Sequence, residues 1–203
     1  MSQAIDTLMH EHRVIERVLA ALETAARSTA QGGPIDRSRI AQFADFFANF
    51  ADTCHHGKEE DILFARMVEA GFPREQGPIA VMLADHGAGR QHVGALRALG
   101  EAPGPLTSDD REAFVRHARE YVAMLSHHIL KEDRVLYPIA LQAIPAADMA
   151  AMAERFDAFE RNVMGPGVHE GFHALADTLI EAYPPAPASS ATVGHGCGCH
   201  GHA

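Results

Sequence analysis

Apolar residues recur at intervals of three and four along most of this chain, which is the pattern of helices that bury one face. Glycine and proline interrupt the pattern and divide it into segments. The first helix is predicted over about residues 2–30, and the second from a cap at Asp36 to about residue 70. The third runs from about 78 to 100, and the fourth from a cap at Ser108 to about 145. Because runs of β-branched residues are absent, no strand is predicted.

Four long helices joined by short turns predict an all-α, up-down-up-down four-helix bundle. A shorter helical pair, at about 147–163 and 168–182, is divided by a Gly-Pro-Gly turn and is predicted to cover the bundle. From residue 184 the apolar period ends and Pro, Ala, Ser, Gly and His dominate, which predicts a disordered tail. The predicted units are the bundle at 1–145, the covering helices at 146–183 and the tail at 184–203.

Composition narrows the class of protein. The 203 residues suffice for one domain with a core, and the 47% hydrophobic and 22% charged shares are those of a soluble globular protein. A formal net charge of -10 disfavours a nucleic-acid partner, whose phosphates require a basic face. No segment is apolar enough to span a membrane and no signal peptide is visible, so the predicted location is cytoplasmic. Three cysteines are too few for a disulfide scaffold, whereas 14 histidines direct attention to metal binding.

The apolar faces of the predicted helices carry polar residues. His12 lies on the apolar stripe of the first helix, and His86 has the equivalent place on the third. The fourth helix puts both His128 and Glu132 on its apolar stripe, one turn apart. A single histidine on such a stripe is more often a core residue than a ligand, but the same feature on several packed helices points to a shared site.

The second helix offers two registers, because His55 and Glu59 are one turn apart and so are His56 and Glu60. The face of His55 carries alanine and phenylalanine upstream, whereas the face of His56 carries asparagine, aspartate and threonine. We therefore interpret His55 and Glu59 as pointing inward, and His56 and Glu60 as weaker candidates for metal binding.

A buried carboxylate costs several kcal/mol unless it is paired. No Lys or Arg lies on the same faces to pair with Glu59 or Glu132, and a bound cation would resolve the deficit. Four imidazoles and two carboxylates are too many for one closed tetrahedral zinc site. Mixed nitrogen and oxygen ligands with open positions favour two non-haem iron ions, with zinc or another divalent cation as the alternative. The predicted metal ligands are His12, His55, Glu59, His86, His128 and Glu132.

Four stretches of sequence, "HEHRVI", "HHGKEEDILF", "DHGAGR" and "HHILKEDRVLYP", resemble the hemerythrin or HHE cation-binding domain. The resemblance covers about residues 4–140, and it aligns His55 with His128 and Glu59 with Glu132. It implies an up-down bundle around a carboxylate-bridged di-iron centre (Fe-O-Fe).

One feature departs from the oxygen carriers of that family, which place two histidines one turn apart on the third helix. Here Arg90 follows His86 by four residues. The pattern is similar to the non-carrier branch, which includes iron or oxygen sensors and proteins that handle nitric oxide or peroxide. A missing fifth histidine predicts a more open centre, which favours reactivity over reversible storage.

The leading interpretation is a di-iron protein that binds or reacts with O2, NO or H2O2 in sensing or stress defence. The alternative is a protein that stores or delivers a divalent metal, using both the bundle and the tail. Peroxide- or NO-consuming enzyme activity is compatible with the first interpretation, and the sequence does not decide it. A protein partner or electron donor is not indicated.

Several further residues have two interpretations each. Tyr121 and Tyr137 either hydrogen-bond around the metal ligands or simply pack in the core. Gly89 either leaves room for a small ligand or allows close helix packing. The tail could bind a soft metal through its thiols and imidazoles or be an inert end. The tail candidates are His195, Cys197, Cys199, His200 and His202.

The stretch "HEGFH" at 169–173 matches the H-E-x-x-H pattern of zinc peptidases. A peptidase also needs a third ligand and a strand to hold its substrate, and neither is visible. His169 and His173 flank the apolar stripe of their helix instead of lying on it. Peptidase chemistry is therefore disfavoured, and the two histidines stay weak candidates for contact with the bundle's site.

Overall fold

The computed structural model describes residues 2–165 and 167–185, and all regular structure within them is helical. This confirms the predicted all-α fold. The α-helices are α1 (Gln3–Ala30), α2 (Arg37–Phe46), α3 (Phe64–Glu69), α4 (Gly77–Glu101), α5 (Ser108–Lys131), α6 (Tyr137–Ala143), α7 (Ala146–Phe159) and α8 (Val168–Ala182). Four π-helical segments continue some of them, at Phe47–His56, Glu59–Leu63, Glu132–Leu136 and Glu160–Met164.

The four predicted long helices form the bundle. We call the four long helical units rods. The first rod is α1 and the third is α4; the second consists of α2, two π-helical segments and α3, and the fourth of α5, one π-helical segment and α6. Around the bundle, α1 packs against α5, α5 against α4, and α4 against α2. The second rod is capped at Asp36, whose side chain accepts a hydrogen bond of 2.8 Å from the backbone N–H of Arg39, as predicted.

The predicted cap of the fourth helix at Ser108 is wrong by one residue. Thr107 is the cap, because its hydroxyl accepts from the backbone N–H of Asp110 while the Asp110 carboxylate accepts from the backbone N–H of Thr107. This reciprocal capping box satisfies two helix-end donors at once, which a serine one position later cannot do.

Two apolar clusters fill the bundle, one toward each end. Phe43, Phe47 and Phe114 belong to the first cluster, and Phe64 and Tyr137 to the second. The polar residues that sequence analysis placed on the apolar faces lie between the two clusters along every rod. The fold therefore holds one buried polar layer inside an otherwise apolar core.

π-helical backbone carries part of that layer, since His55, His56, Glu59 and Glu132 lie in π-helical segments of the second and fourth rods. A π-helix forms i→i+5 hydrogen bonds and so turns its side chains by less per residue than an α-helix. On the second rod this brings the adjacent residues His55 and His56 into the interior together, with 1% and 4% exposure. The segment on the fourth rod begins at Glu132 and precedes Pro138, whose ring nitrogen cannot donate to the backbone ladder.

The predicted covering pair is also present. α7 and its π-helical extension are joined to α8 across Gly165 and Gly167, which both have positive φ. Both α7 and α8 pack against α1. The proposed division at residues 145 and 183 stays a prediction. Of the predicted tail, residues 184 and 185 are described, and the tail metal candidates lie outside the described residues.

Among residues 2–165 and 167–185, no single helix is long and apolar enough to cross a membrane. One pair, Ser108–Ala143 with Ala146–Met164, meets the length and composition requirement together but is bent by 119°.

Candidate metal centre

Seven buried polar side chains converge in the layer between the two apolar clusters. All four rods of the bundle contribute to the group, and each member is at most 4% exposed. Six of them are the predicted ligands, and the seventh is His56, which sequence analysis ranked as a weaker candidate. The group consists of His12, His55, His56, Glu59, His86, His128 and Glu132.

The inward atoms of these side chains lie within a few ångströms of one another. His86 Nε2 is 3.1 Å from His128 Nε2, and His128 Nε2 is 3.1 Å from Glu132 Oε2. His12 Nε2 is 3.2 Å from the same Glu132 oxygen. The donor atoms fall into two sets that share Glu59. One set is His56, Glu59, His86 and His128, and the other is His12, His55, Glu59 and Glu132.

Several of the inward atoms have no partner in hydrogen-bond geometry among the described residues; the imidazole nitrogens 3.1 and 3.2 Å from Glu132 Oε2 approach it outside that geometry. The atoms without such a partner are His55 Nε2, His56 Nε2, Glu59 Oε2 and both carboxylate oxygens of Glu132. Burial of an unpaired polar atom costs about 1–3 kcal/mol, and more for a charged group. So many unpaired acceptors in one place fit a site that is completed by cations.

The outward nitrogen of every imidazole in the group faces a carboxylate. A carboxylate at Nδ1 holds the proton there and leaves the Nε2 lone pair pointing inward, which is the arrangement of a metal-ligating histidine. The five contacts are His12 to Asp133 at 2.8 Å, His55 to Glu11 at 2.8 Å, His56 to Asp52 at 3.2 Å, His86 to Glu60 at 2.8 Å and His128 to Asp85 at 3.3 Å.

A cation in turn contacts each of these outer carboxylates. Arg90 reaches both Asp52 and Glu60, at 2.8 and 2.7 Å. The remaining pairs are Arg13 with Asp133, Lys58 with Glu11 and Lys131 with Asp85. Despite partial burial, contacts with His56 and Arg90 lower the pKa of Asp52 to about 2. The carboxylates are therefore ionised at neutral pH and available to orient the imidazoles.

A family model of the hemerythrin HHE cation binding domain matches residues 3–140. This chain belongs to the hemerythrin HHE family. The match spans all four rods and every one of the seven converging residues, and it confirms the resemblance seen in the sequence. Cation binding follows from the family, and the buried His/Glu clusters provide ligand sets for it.

The relatives found among curated proteins are uncharacterized proteins of Mycobacterium bovis and of two strains of Mycobacterium tuberculosis. Each is 23% identical over 178 residues, which is 88% of this chain and 68% of the relative. No solved structure gave a significant match. The similarity to the mycobacterial proteins extends beyond the bundle, since 178 residues exceed the span of the family match.

The departure from the oxygen-carrying hemerythrins has a structural counterpart. Arg90 does not point into the layer; its guanidinium lies outside, on Asp52 and Glu60. A fifth imidazole nevertheless reaches the layer, from His56, whose ring stacks on that of His86 with centroids 3.8 Å apart. The weaker candidate His56 therefore joins the four predicted imidazoles in the layer, because the π-helical backbone turns two successive histidines inward.

The other candidates lie further out. Glu60 contacts His86 Nδ1 and Arg90 instead of the inward atoms. His169 Nε2 is 3.9 Å from Glu11, the carboxylate behind His55, and His173 packs against Phe50. Neither histidine of the "HEGFH" stretch enters the converging group, so the second histidine-rich motif belongs to the covering helix and not to the centre.

The two tyrosines have different positions. Tyr137 donates a hydrogen bond of 2.7 Å from its hydroxyl to Glu59 Oε1, and its oxygen is 3.3 Å from His12 Nε2. Tyr121 is buried edge-on against Phe47 and forms no hydrogen bond to the converging group among the described residues. Tyr137 therefore orients a candidate ligand, whereas Tyr121 is a packing residue beside the centre.

Sequence analysis missed Glu11 and Lys58, which are both buried. Lys58 lies on the second rod between its two π-helical segments, and its ammonium contacts Glu11 and, at 2.5 Å, Glu160. Glu11 precedes His12 directly in α1. The pairing of an acid on α1 with His55 across the bundle has no signal in either local sequence.

The electrostatics of the layer raise the pKa of three of its imidazoles, those of His12, His86 and His128. Burial opposes charge on His12, but Asp133 and Glu132 outweigh it and raise its pKa to about 9. Glu132 and Asp85 similarly overcome burial and raise the pKa of His128 to about 10. Burial and the neighbouring His86 lower the pKa of His56 to about 3, so this imidazole stays neutral.

A cavity of about 210 Å³ reaches the layer from the side of α4. Its lining includes His56 and His86 at the inner end, together with Gly89, Arg90 and Tyr121. A Cβ on Gly89 would lie 3.2 Å from Met124 Cε and 3.4 Å from Tyr121 Cε2. The absence of a side chain at residue 89 thus both leaves space beside the centre and allows a close approach of α5.

Proposed function

We propose that this chain holds two iron ions in the buried layer and uses them to bind or react with O2, NO or H2O2, in sensing or stress defence. One ion would be held by His56, Glu59, His86 and His128, and the other by His12, His55, Glu59 and Glu132. The observation that carries the proposal is the set of unpaired inward atoms, which belong to two imidazoles held by outer carboxylates and to the carboxylates of Glu59 and Glu132.

The donor set supports iron over the alternatives. Imidazole and carboxylate ligands without a thiolate suit non-haem iron, and the shared Glu59 suits a carboxylate-bridged pair. Four protein donors on an octahedral ion leave positions for an exogenous ligand, which is the chemistry that iron would supply here. Structural zinc, in contrast, favours one closed tetrahedral shell.

The cavity next to α4 supports an exogenous ligand of small size. It touches His56 and His86, so a diatomic molecule or peroxide entering there would meet the first ligand set and not the second. About 210 Å³ is ample for such ligands and small for most metabolites. Tyr137 lies beside His12, a member of the other ligand set, and its hydroxyl donates a hydrogen bond to the shared Glu59.

The full-length protein, loaded with iron anaerobically and then exposed to air, tests the proposal. An absorption band in the near-UV and visible that changes on addition of azide, NO or H2O2 is the expected result. A colourless protein that retains zinc and gives it up to a chelator would instead support storage or delivery of a divalent metal, and would overturn the proposal.

A matched pair of variants locates the reaction. His128→Ala removes a member of the converging group, whereas His127→Ala removes its exposed neighbour. We expect the first variant to lose the ligand-sensitive band and the second to keep it, with both remaining helical by circular dichroism. The proposed cytoplasmic location, and the prediction that neither nucleic acid nor a membrane is a partner, are independent of this test.

A further inference from the structure

Two histidines that lie outside the centre meet on the surface of the bundle. His92 on α4 and His117 on α5 approach through their Nδ1 atoms, which are 3.3 Å apart. Glu120, one turn after His117, brings a carboxylate oxygen to 3.7 Å from His92 Nδ1. One donor atom from each residue lies within 4.8 Å of the other two. None of the three residues was a candidate ligand in the sequence analysis.

We propose that His92, His117 and Glu120 form a second divalent-cation site, open to solvent, that takes zinc or a similar borderline metal. Two imidazoles and one carboxylate are a common donor set for such ions, with water completing the shell. This site is independent of the di-iron proposal, since it shares no residue with the buried layer.

The distance between the two nitrogens fits a metal between them. Nitrogens bound to one tetrahedral zinc at about 2.0–2.1 Å each lie about 3.3 Å apart. The separation of 3.3 Å between the Nδ1 atoms equals this value. His117 and Glu120 are three residues apart and so share one face of α5, and α4 packs directly against α5.

The surroundings keep the imidazoles available. Partial burial and the charge of Arg116 lower the pKa of His117, so its ring is neutral at physiological pH. The His92 side chain is 22% exposed and that of Glu120 is 54% exposed, which leaves space for water ligands and for metal exchange. The seven converging residues of the buried layer, in contrast, are each at most 4% exposed.

A third cluster of possible ligands does not support a metal site. Glu11, Glu160 and His169 also bring donor atoms together, but the ammonium of Lys58 contacts both carboxylates. The positive charge that these carboxylates require is therefore already present. At His92, His117 and Glu120, in the part of the chain that the structure describes, no lysine or arginine forms an ion pair with the carboxylate.

Zinc binding to the iron-loaded, full-length protein tests the proposal. Titration calorimetry would compare the wild type with His117→Gln and with His127→Gln, which replaces an exposed histidine on the same helix. All three proteins keep the histidines and cysteines of the tail, so the tail contributes equally. We expect the His117→Gln variant to bind one zinc fewer than the other two proteins.

Residue-specific labelling supplies a second measurement. Diethyl pyrocarbonate acylates neutral, accessible imidazoles, and zinc should protect His92 and His117 together while leaving His127 reactive. Equal zinc stoichiometry in wild type and His117→Gln, or labelling of His92 and His117 that zinc does not change, would show that the two rings form only a hydrogen bond. Both readouts are valid whether or not the buried layer holds iron.

Discussion

Glu11 and Lys58 form a buried ion pair behind the His55 imidazole. Glu11 contacts His55 through its other oxygen at 2.8 Å, and Lys58 continues to Glu160 at 2.5 Å. Glu160 lies in the helical pair that covers the bundle, beyond the residues 3–140 that match the family. The covering helices are thus connected to a candidate ligand through three consecutive polar contacts.

Loss of the Glu160 carboxylate should weaken that connection. Glu160→Ala leaves the Lys58 ammonium with one carboxylate instead of two, and we expect the free energy of unfolding to fall by about 1–2 kcal/mol, a value reduced for the partial exposure of Glu160. Glu154→Ala, an exposed change on α7, is the control. Chemical denaturation measures the free energy of unfolding of both variants. Equal stability of the two would contradict a stabilising contact between Glu160 and Lys58.

Close packing at Gly57 should be equally sensitive. A Cβ at this residue would lie 2.6 Å from Phe159 Cζ, so Gly57→Ala requires the Phe159 ring to shift from its place against the second rod. We expect a loss of about 1–3 kcal/mol, the usual cost of overpacking. Gly94→Ala is the matched control on α4, where a Cβ meets no atom within 4 Å and alanine favours the helix. Thermal unfolding distinguishes the two variants. A gain of stability in both would show that the close approach of Gly57 to Phe159 is unimportant.

The metal-free protein should lose stability as the pH rises. His12 and His128 have folded pKa values of about 9 and about 10, above the ordinary value of 6.5. A group whose pKa is raised in the folded protein stabilises the fold at pH values below its unfolded pKa. This contribution disappears as the pH rises through its folded pKa. We expect a lower melting temperature at pH 9.5 than at pH 6.5 after chelation of metal. A higher one would mean that these imidazoles are neutral in the metal-free state.

Blocking the cavity should slow ligand entry without removing metal. In Gly89→Val the new side chain fills space between α4, Met124 and Tyr121, beside His86. We expect azide to associate about tenfold more slowly, which corresponds to an activation free energy higher by roughly 1.4 kcal/mol, and the iron content to stay unchanged. Gly87→Val introduces the same residue where a Cβ meets no atom within 4 Å. Equal stopped-flow rates in the two variants would place the entry route elsewhere.

The sequence predicts the rods and most of the buried layer because both depend on local periodicity. Ile, Leu and Phe at helical spacing locate the apolar faces, and His12, His86, His128 and Glu132 lie on them without ambiguity. The sequence ranks His56 below His55 because a strict α-helical period turns the two apart, whereas the structure buries both side chains. The π-helical backbone that turns both inward depends on packing across the bundle, which the period of one helix does not encode.

The outer polar contacts were beyond sequence reasoning for a related reason. Glu11 meets His55 and Lys58 across 44 and 47 residues of chain, and Glu160 meets Lys58 across 102. Glu11, Lys58 and Glu160 look like ordinary surface charges in their own helices. Only the relative placement of the rods and of the covering pair shows that Glu11 and Lys58 are buried and that all three are paired.

Counting the iron is the most direct test of the central claim. Full-length protein loaded with ⁵⁷Fe would be assayed for metal per chain, and its Mössbauer spectrum recorded. The arrangement of three imidazoles with Glu59 on one side, and of two imidazoles with Glu59 and Glu132 on the other, predicts two iron ions per chain in two distinguishable, magnetically coupled environments. A single uncoupled iron, or a protein that retains only zinc, would contradict the account.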